Sequence, residues 1–308
     1  MKIAIIGQSA FGKSVLEALV EKGKDEIVGV FAPQTKEGRS PDAISKAATE
    51  LNVPVFEFKQ LRDKEAVDQF KTLAPELCVM AFVTDIVPME MINFPPLGTI
   101  QYHPSLLPLH RGPSSINWPI INGETETGLT IFWPDAGLDT GPVLMQKKVE
   151  IAPEATLGSI YFNKLYPLGV QAMIESVDLV RSGDAPRIDQ DETKATYESW
   201  CNANDAVLDW SANVDTVFNL IRGADPQPGA NTIHGETKLS LYDAARSSYG
   251  SSGRMAGTVV EIGVEKVIVA CDDGAIAIGR IRATGGKKIN AAEWADSVNL
   301  QVGSVFGS

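Results

Sequence analysis

The sequence predicts an α/β chain in which a doubly wound sheet is followed by a small β-barrel or open β-domain. Three observations predict it. Short, continuously apolar, β-rich runs alternate with helically spaced segments from residue 2 to residue 181, the pattern of a largely parallel sheet covered on both faces. The composition turns polar and acidic over 187–195. Beyond residue 230 the pattern changes to short strands between Gly-rich turns, as in small β-domains.

Taken in order, residues 2–6 are a strand closed by Gly7. Residues 11–22 place Val15, Leu16, Leu19 and Val20 on one helical face, and residues 27–31 complete a βαβ opening. A polar loop over 33–40 leads to a helix over 41–51, a strand over 53–56, a helix over 65–73 and a buried strand over 77–83. Residues 97–102 form a strand that runs into His103. A short helix over 115–121 and a strand over 129–133 follow, and residues 143–149 suit an edge strand. A long helix is expected over 157–181, with Ile160, Phe162, Leu165, Leu168, Val170 and Met173 available for burial; Pro167 inside it predicts a kink or a break. Residues 187–195 read as a linker and 214–222 as a helix before a turn at 223–229. Strands are expected at 238–242, 257–262, 266–271 and 275–281, with His234 in a hairpin at 233–236. Residues 247–253, rich in Ser and Gly, read as a mobile loop. The domain boundaries are drawn at 1–203 and 204–308.

The 308 residues are 44% hydrophobic and 21% charged, with a net charge of −12. That composition belongs to a soluble globular protein. The charge argues against broad nucleic-acid binding, which depends on Lys and Arg neutralising phosphates, and leaves room for a local basic patch. Cys78, Cys201 and Cys271 have no paired spacing, so no disulfide framework or cysteine zinc site is expected. No His, Cys or carboxylate cluster has metal-ligand spacing, and no metal is expected. The chain opens directly on a strand, so no cleavable signal is expected. No apolar run approaches the ~18 residues of a membrane span. A cytoplasmic protein is expected.

Two stretches carry candidate chemistry. Gly7-Gln8-Ser9-Ala10-Phe11-Gly12-Lys13-Ser14 matches G-x4-G-K-S between a strand and a helix, the context of a phosphate-cradling P-loop. Lys13 and Ser14 would then hold phosphate and Mg²⁺, with Asp85 the candidate second carboxylate. The alternative is that Gly7 and Gly12 only permit a strand-to-helix turn. The second stretch is the strand that ends at His103, followed by a proline-framed loop, and a later strand that ends before Asp139. Ligands of open α/β sheets bind beyond the carboxyl ends of strands. A lone histidine at a strand end is more often structural. With a carboxylate beside it, however, it can move protons near neutral pH and stabilise an oxyanion. Gln101, two residues earlier, would share a strand face with His103 and offers a carboxamide donor. His110 and Arg111 could touch an anionic substrate tail or form a solvated rim.

The segment His103-Pro104-Ser105-Leu106-Leu107-Pro108 with Arg111-Gly112, followed by Gly137-Leu138-Asp139-Thr140-Gly141, resembles the formyltransferase family that uses 10-formyltetrahydrofolate. The likeness extends over nearly the whole chain, including 221–223 and 228–230. It is greatest to the N-terminal hydrolase domain of 10-formyltetrahydrofolate dehydrogenase, a relative of methionyl-tRNA formyltransferase and the sugar-nucleotide formyltransferases. The resemblance implies a Rossmann-like formyltransferase domain followed by a small OB-like β-barrel, and it implies that the Gly12-Lys13-Ser14 match is fortuitous. It also implies that His103 and Asp139 are catalytic, with Gln101 where the family usually has asparagine. The folate would lie on Thr84, Asp85 and Ile86, on Ser105, Leu106, Leu107 and Pro108, and on the backbone near Ala136. 10-Formyltetrahydrofolate would be the cosubstrate, and the formyl acceptor would be water, a tRNA-linked amine or a sugar amine.

Water is preferred among the acceptors because it fits the likeness to the hydrolase domain. A sugar amine stays open, and tRNA is less attractive because the family's tRNA-gripping members carry a basic early insertion. Here residues 34–40 are short and nearly neutral, on an acidic chain. A chain that ends at residue 308 is expected to lack the carrier and aldehyde dehydrogenase parts of the full dehydrogenase. Two more distant expectations are a P-loop NTPase and a non-catalytic folate-binding module.

Overall fold

Residues 1–249 and 253–307 are described in a computed structural model; residues 250–252, the centre of the Ser/Gly-rich run, lie outside the described residues. The chain forms β1 (Lys2–Gly7), α1 (Ser9–Lys22), β2 (Glu26–Pro33), α2 (Ala43–Glu50), β3 (Val55–Phe58), α3 (Lys64–Thr72), β4 (Leu77–Ala81), α4 (Met89–Ile92), β5 (Thr99–His103), α5 (Asn117–Ile121), β6 (Glu126–Phe132) and β7 (Val143–Glu150). Next come α6 (Leu157–Ile160), α7 (Tyr166–Ser182), α8 (Val214–Gly223), β8 (Ala230–His234), β9 (Thr237–Ser247), β10 (Val259–Ile262), β11 (Val267–Ala270), β12 (Ala275–Ala283), β13 (Ile289–Asn290) and α9 (Ala291–Ser297). Two compact units are interleaved along the sequence. One comprises Met1–Gly112, Gly128–Val149 and Lys164–Tyr197, and the other Pro113–Thr127, Glu150–Asn163 and Glu198–Ser308.

The first unit is built on a seven-stranded sheet in the order β3-β2-β1-β4-β5-β6-β7. The pairs from β3 to β5 are parallel, and both faces are covered. Ala4 and Ile6 pack with Phe31, Phe70, Met80 and Met91, while the alternate residues Ile3 and Ile5 are fully buried toward the opposite face. The continuous apolar runs thus arise from two-sided burial. β7 is the edge strand, as its mixed composition predicts. β6 departs from the parallel reading: it is antiparallel to β5, pairing Gln101 with Phe132 and His103 with Thr130. It therefore runs away from His103, and its carboxyl end does not share an edge with that of β5.

The P-loop expectation is overturned. α1 begins at Ser9 and encloses Gly12, Lys13 and Ser14, so no loop remains to cradle a phosphate. Gly7 and Gly12 serve close packing: a Cβ on Gly7 would lie 2.6 Å from the Ala81 carbonyl oxygen, and one on Gly12 would meet Ala81 and Ile44 at 3.2 Å. Lys13 pairs with Glu17 on the next turn, and the Ser14 hydroxyl lies 2.7 Å from that of Tyr166.

The helical run over 157–181 is broken, as Pro167 predicts. A π-helical stretch, Tyr161–Leu165, separates α6 from α7, and Pro167 sits in the first turn of α7. The backbone stays helical through Leu165, so the π turn is where the ladder accommodates the missing N–H of Pro167. The π stretch shifts the phase of the helix, and Phe162, expected to be buried, is 63% exposed.

In the second unit an antiparallel sheet runs β10-β11-β12-β9-β8, with β13 also on β12. α8 and α9 cover it around a core that includes Trp210, Phe218, Ile221, Leu241, Ile276, Trp294 and Phe306. The hairpin read at 233–236 joins β8 to β9, with His234 opposite Thr237. Among the described residues no helix is long and apolar enough to cross a membrane.

Candidate active site

β5 ends on His103 because its alternation buries Ile100 and Tyr102 toward one face and turns Thr99, Gln101 and His103 to the other. Tyr102 lies over Phe11, with ring centroids 4.3 Å apart, which fixes the strand against α1. His103 is buried. Its Nε2 lies 2.9 Å from the backbone carbonyl oxygen of His110, and its Nδ1 lies 3.6 Å from Asp139 Oδ2. A carbonyl only accepts, so Nε2 carries the proton of that hydrogen bond. The Nδ1 separation exceeds a direct hydrogen bond.

Asp139 reaches His103 although β6 runs the other way, because the loop after β6 folds back: Trp133 N donates to the Pro142 carbonyl at 2.9 Å. Asp135 organises this return, accepting from Gly137 N at 3.0 Å and from the Thr140 hydroxyl at 2.6 Å. Asp139 itself has φ = 56°, a left-handed conformation uncommon outside glycine. It is buried, and its Oδ2 accepts from Gly112 N at 2.8 Å. His110, with φ = 55°, is the second strained residue at the site. Gln101 is half-buried on the face it shares with His103, and its carboxamide has no hydrogen-bond partner among the described residues.

The other expected site residues divide into two groups. The loop after His103 is committed to the scaffold. Ser105 donates to the Leu109 carbonyl at 2.6 Å, and Leu107 N donates to the Thr130 hydroxyl at 3.1 Å. Gln146 holds the Leu107 carbonyl at 2.8 Å. Ser105 and Leu107 are buried, while Leu106 and Pro108 are half-buried. Thr84, Asp85 and Ile86 follow β4, the parallel neighbour of β5. Ile86 is 70% exposed, and Asp85 caps a neighbouring turn by accepting from Leu61 N at 2.7 Å. The Thr84 hydroxyl donates to Gln8 at 3.2 Å. Ala136 is exposed in the loop that carries Asp139.

Neither of the outward-facing roles considered for His110 and Arg111 is what the structure shows. Both are buried, and Arg111 is fully so. Its guanidinium binds Glu192 through Nη1 at 2.9 Å and Nη2 at 2.6 Å, binds Gln190 Oε1 at 2.7 Å, and lies 5.1 Å from the Tyr197 ring centroid. The Glu192 carboxylate beside it holds the guanidinium above its ordinary range, against the opposing effect of burial. Gln190 and Glu192 come from the stretch read as a linker, and Tyr197 lies just beyond it. That stretch is bound into the first unit: Ile188 exchanges backbone hydrogen bonds with Val143, Thr196 N donates to the Pro108 carbonyl, and Arg111 N donates to the Thr196 carbonyl. Most of the stretch faces solvent, as its polar composition predicts, while Gln190 and Glu192 turn polar groups to the buried arginine.

A buried His–carboxylate pair beside an unpartnered carboxamide can stabilise a developing oxyanion and move a proton, which is the equipment of acyl transfer. Residues 1–177 match the formyl transferase family, and residues 201–299 match its C-terminal domain. The chain belongs to the formyl transferase family. A cytosolic 10-formyltetrahydrofolate dehydrogenase of Xenopus tropicalis is 38% identical over 98% of this chain. The chain spans 35% of that relative's length. The methionyl-tRNA formyltransferase of Geobacter sulfurreducens is 33% identical over the whole of this chain and 97% of its own. The fold is shared with HypX from Aquifex aeolicus in complex with tetrahydrofolic acid, at a TM-score of 0.71 and 20% identity over 98% of this chain and 48% of that one. It is also shared with an N-formyltransferase from Helicobacter canadensis in complex with folinic acid and dTDP-3-aminofucose, at 0.67 and 17% over 92% and 100%. The formyl transferase chain thus has the α/β and antiparallel β units that its sequence predicts. Among the described residues no group of three or more His, Cys, Asp or Glu could hold a metal ion.

Proposed function

We propose that this chain takes the formyl group of 10-formyltetrahydrofolate and passes it to water, as a hydrolase of the formyl transferase family. The carrying observation is the buried pair with His103 Nδ1 3.6 Å from Asp139 Oδ2, on the strand face that also holds Gln101. The nucleophile adds to the formyl carbon, and the C–N bond to N10 then breaks as N10 takes up a proton. His103 Nε2 is occupied by the His110 carbonyl, so Nδ1 is the ring nitrogen that exchanges a proton with the reacting group. Asp139 opposes the positive charge that forms on the ring. Gln101 donates to the tetrahedral oxyanion. Formate and tetrahydrofolate leave. The folate lies on the loops at Thr84, Asp85 and Ile86, Ser105–Pro108 and Ala136.

Water is favoured as acceptor by the 38% likeness to the dehydrogenase and by the net charge of −12. Transfer to methionyl-tRNA is the second reading, favoured by the end-to-end match to the Geobacter enzyme. Incubation with 10-formyltetrahydrofolate, alone, with methionyl-tRNA, or with an amino-sugar nucleotide, separates them. Tetrahydrofolate and formate released without acceptor support hydrolysis, and release only with one acceptor assigns that acceptor. The cytoplasm is the proposed compartment, tested by fractionation.

A further inference from the structure

We infer that Gln190 is a positioning residue for the catalytic pair; this rests on the formyl-transfer reading of His103 and Asp139. The Gln190 carboxamide stands between two parts of the site. Its Nε2 donates to the backbone carbonyls of Asp139 at 2.9 Å and Gly141 at 2.7 Å. Its Oε1 accepts from Arg111 Nη2 at 2.7 Å and Nε at 3.2 Å. All four of its polar contacts are therefore to the two segments that hold the pair.

Those segments act directly on the reacting side chains. The tripeptide His110-Arg111-Gly112 presents its first carbonyl to His103 Nε2 and its last N–H to Asp139 Oδ2. Its own place is set by Thr196, which takes the His110 N–H on its hydroxyl at 2.7 Å and the Arg111 N–H on its carbonyl at 3.0 Å. The Asp139 loop needs a comparable restraint, because it must hold Asp139 at φ = 56°, a sparsely populated region that Asp enters more readily than most residues but does not prefer. Gln190 supplies it, and in the same carboxamide ties that loop to Arg111. Residues 188–197 are in this sense a strap that fixes the 3.6 Å separation of His103 and Asp139. Gln190 does not touch the reacting atoms.

Two substitutions separate the ends of the relay. Gln190→Met keeps the shape and removes every hydrogen bond. Gln190→Glu keeps an acceptor for Arg111 and loses both donations to the Asp139 loop. In each, kcat for formyl release is expected to fall about 10- to 100-fold through misplacement of the pair, while KM for the folate stays within about twofold. Gln190→Glu sets a carboxylate against two carbonyl oxygens and is expected to lower the melting temperature, so both variants are assayed well below their melting temperatures, where the fold is intact. The protein contains three histidines, so ¹⁵N-histidine NMR reads the rings without turnover. The His103 resonances, identified by their loss in His103→Ala, are expected to shift in both variants while those of His234 stay. Unchanged kcat with superimposable His103 signals in Gln190→Glu overturns the inference. If the wild-type protein releases no formyl group with any acceptor, the formyl-transfer reading fails, and the NMR comparison still decides whether Gln190 sets the His103–Asp139 geometry.

Discussion

His103 and Asp139 are separated by slightly more than a hydrogen bond, and each is restrained by a backbone group that the other does not use. On the proposed mechanism His103→Ala removes the proton-exchanging group and is expected to lower kcat by about 10²–10⁴, read from formate release. Asp139→Asn keeps the volume, loses the charge facing the ring, and is expected to cost about 10²–10³ in kcat. Gln101→Leu tests the oxyanion donor; retention of full kcat in that variant removes Gln101 from the mechanism. The cysteines make a contrast. Burial pushes the Cys78 and Cys271 thiols up to about 12 and that of Cys201 to about 11. Because the thiolate is the reactive species, a disulfide reagent at pH 8 is expected to leave the native protein unlabelled and to label all three cysteines after denaturation.

The elements around the site are held by close approach as much as by hydrogen bonds. Gly128, in β6, faces Leu106: an added Cβ would lie 2.3 Å from the Lys147 carbonyl and 2.5 Å from the Leu106 side chain. Gly128→Ala is therefore expected to destabilise by about 1–3 kcal/mol, lowering the melting temperature and disturbing the loop after His103. α8 starts at Asn213, whose side chain accepts from Thr216 N; Asn213→Ala is expected to cost about 1 kcal/mol, measured by denaturant unfolding. Lys13, once the centre of a P-loop reading, makes only a surface pair with Glu17. Lys13→Ala is expected to change stability by less than about 0.5 kcal/mol and to leave formyl release unchanged.

Across the whole molecule, several carboxyls are held below their ordinary range. The Lys22 ammonium and Arg181 lower Asp178, Lys147 lowers Glu175, and Arg111 lowers Glu192. For Glu57 burial acts upward, and hydrogen bonds from Thr35 and Ser45 outweigh it. A carboxyl depressed on folding stabilises the protein above its unfolded pKa, and that stabilisation is lost as pH falls through the folded value. The melting temperature is thus expected to be flat near neutrality and to fall below about pH 4.5, where the first of these groups protonates in the unfolded chain. Salt should weaken the part due to Asp178 and Glu175, which are partly exposed.

What the sequence determined by itself follows from local physics. Apolar runs of strand length, helical spacing and Gly or Pro punctuation fix the order of elements, the edge strand β7, the break at Pro167 and the end of β5 at His103. The motif around Asp139 names the second catalytic candidate. The tertiary structure decided what depends on partners remote in sequence. The direction of β6 follows from pairing with β5, not from its own composition. The Asp139 loop returns to His103 through a backbone contact between Trp133 and Pro142. Gly7 and Gly12 match a phosphate loop in sequence, and only the carbonyl of Ala81 pressing on both shows that they serve packing. The polar run over 187–195 reads as linker because local composition cannot reveal a buried guanidinium 79 residues away. Arg111 makes that run part of the site, since a charge removed from water must find its hydrogen bonds within the fold.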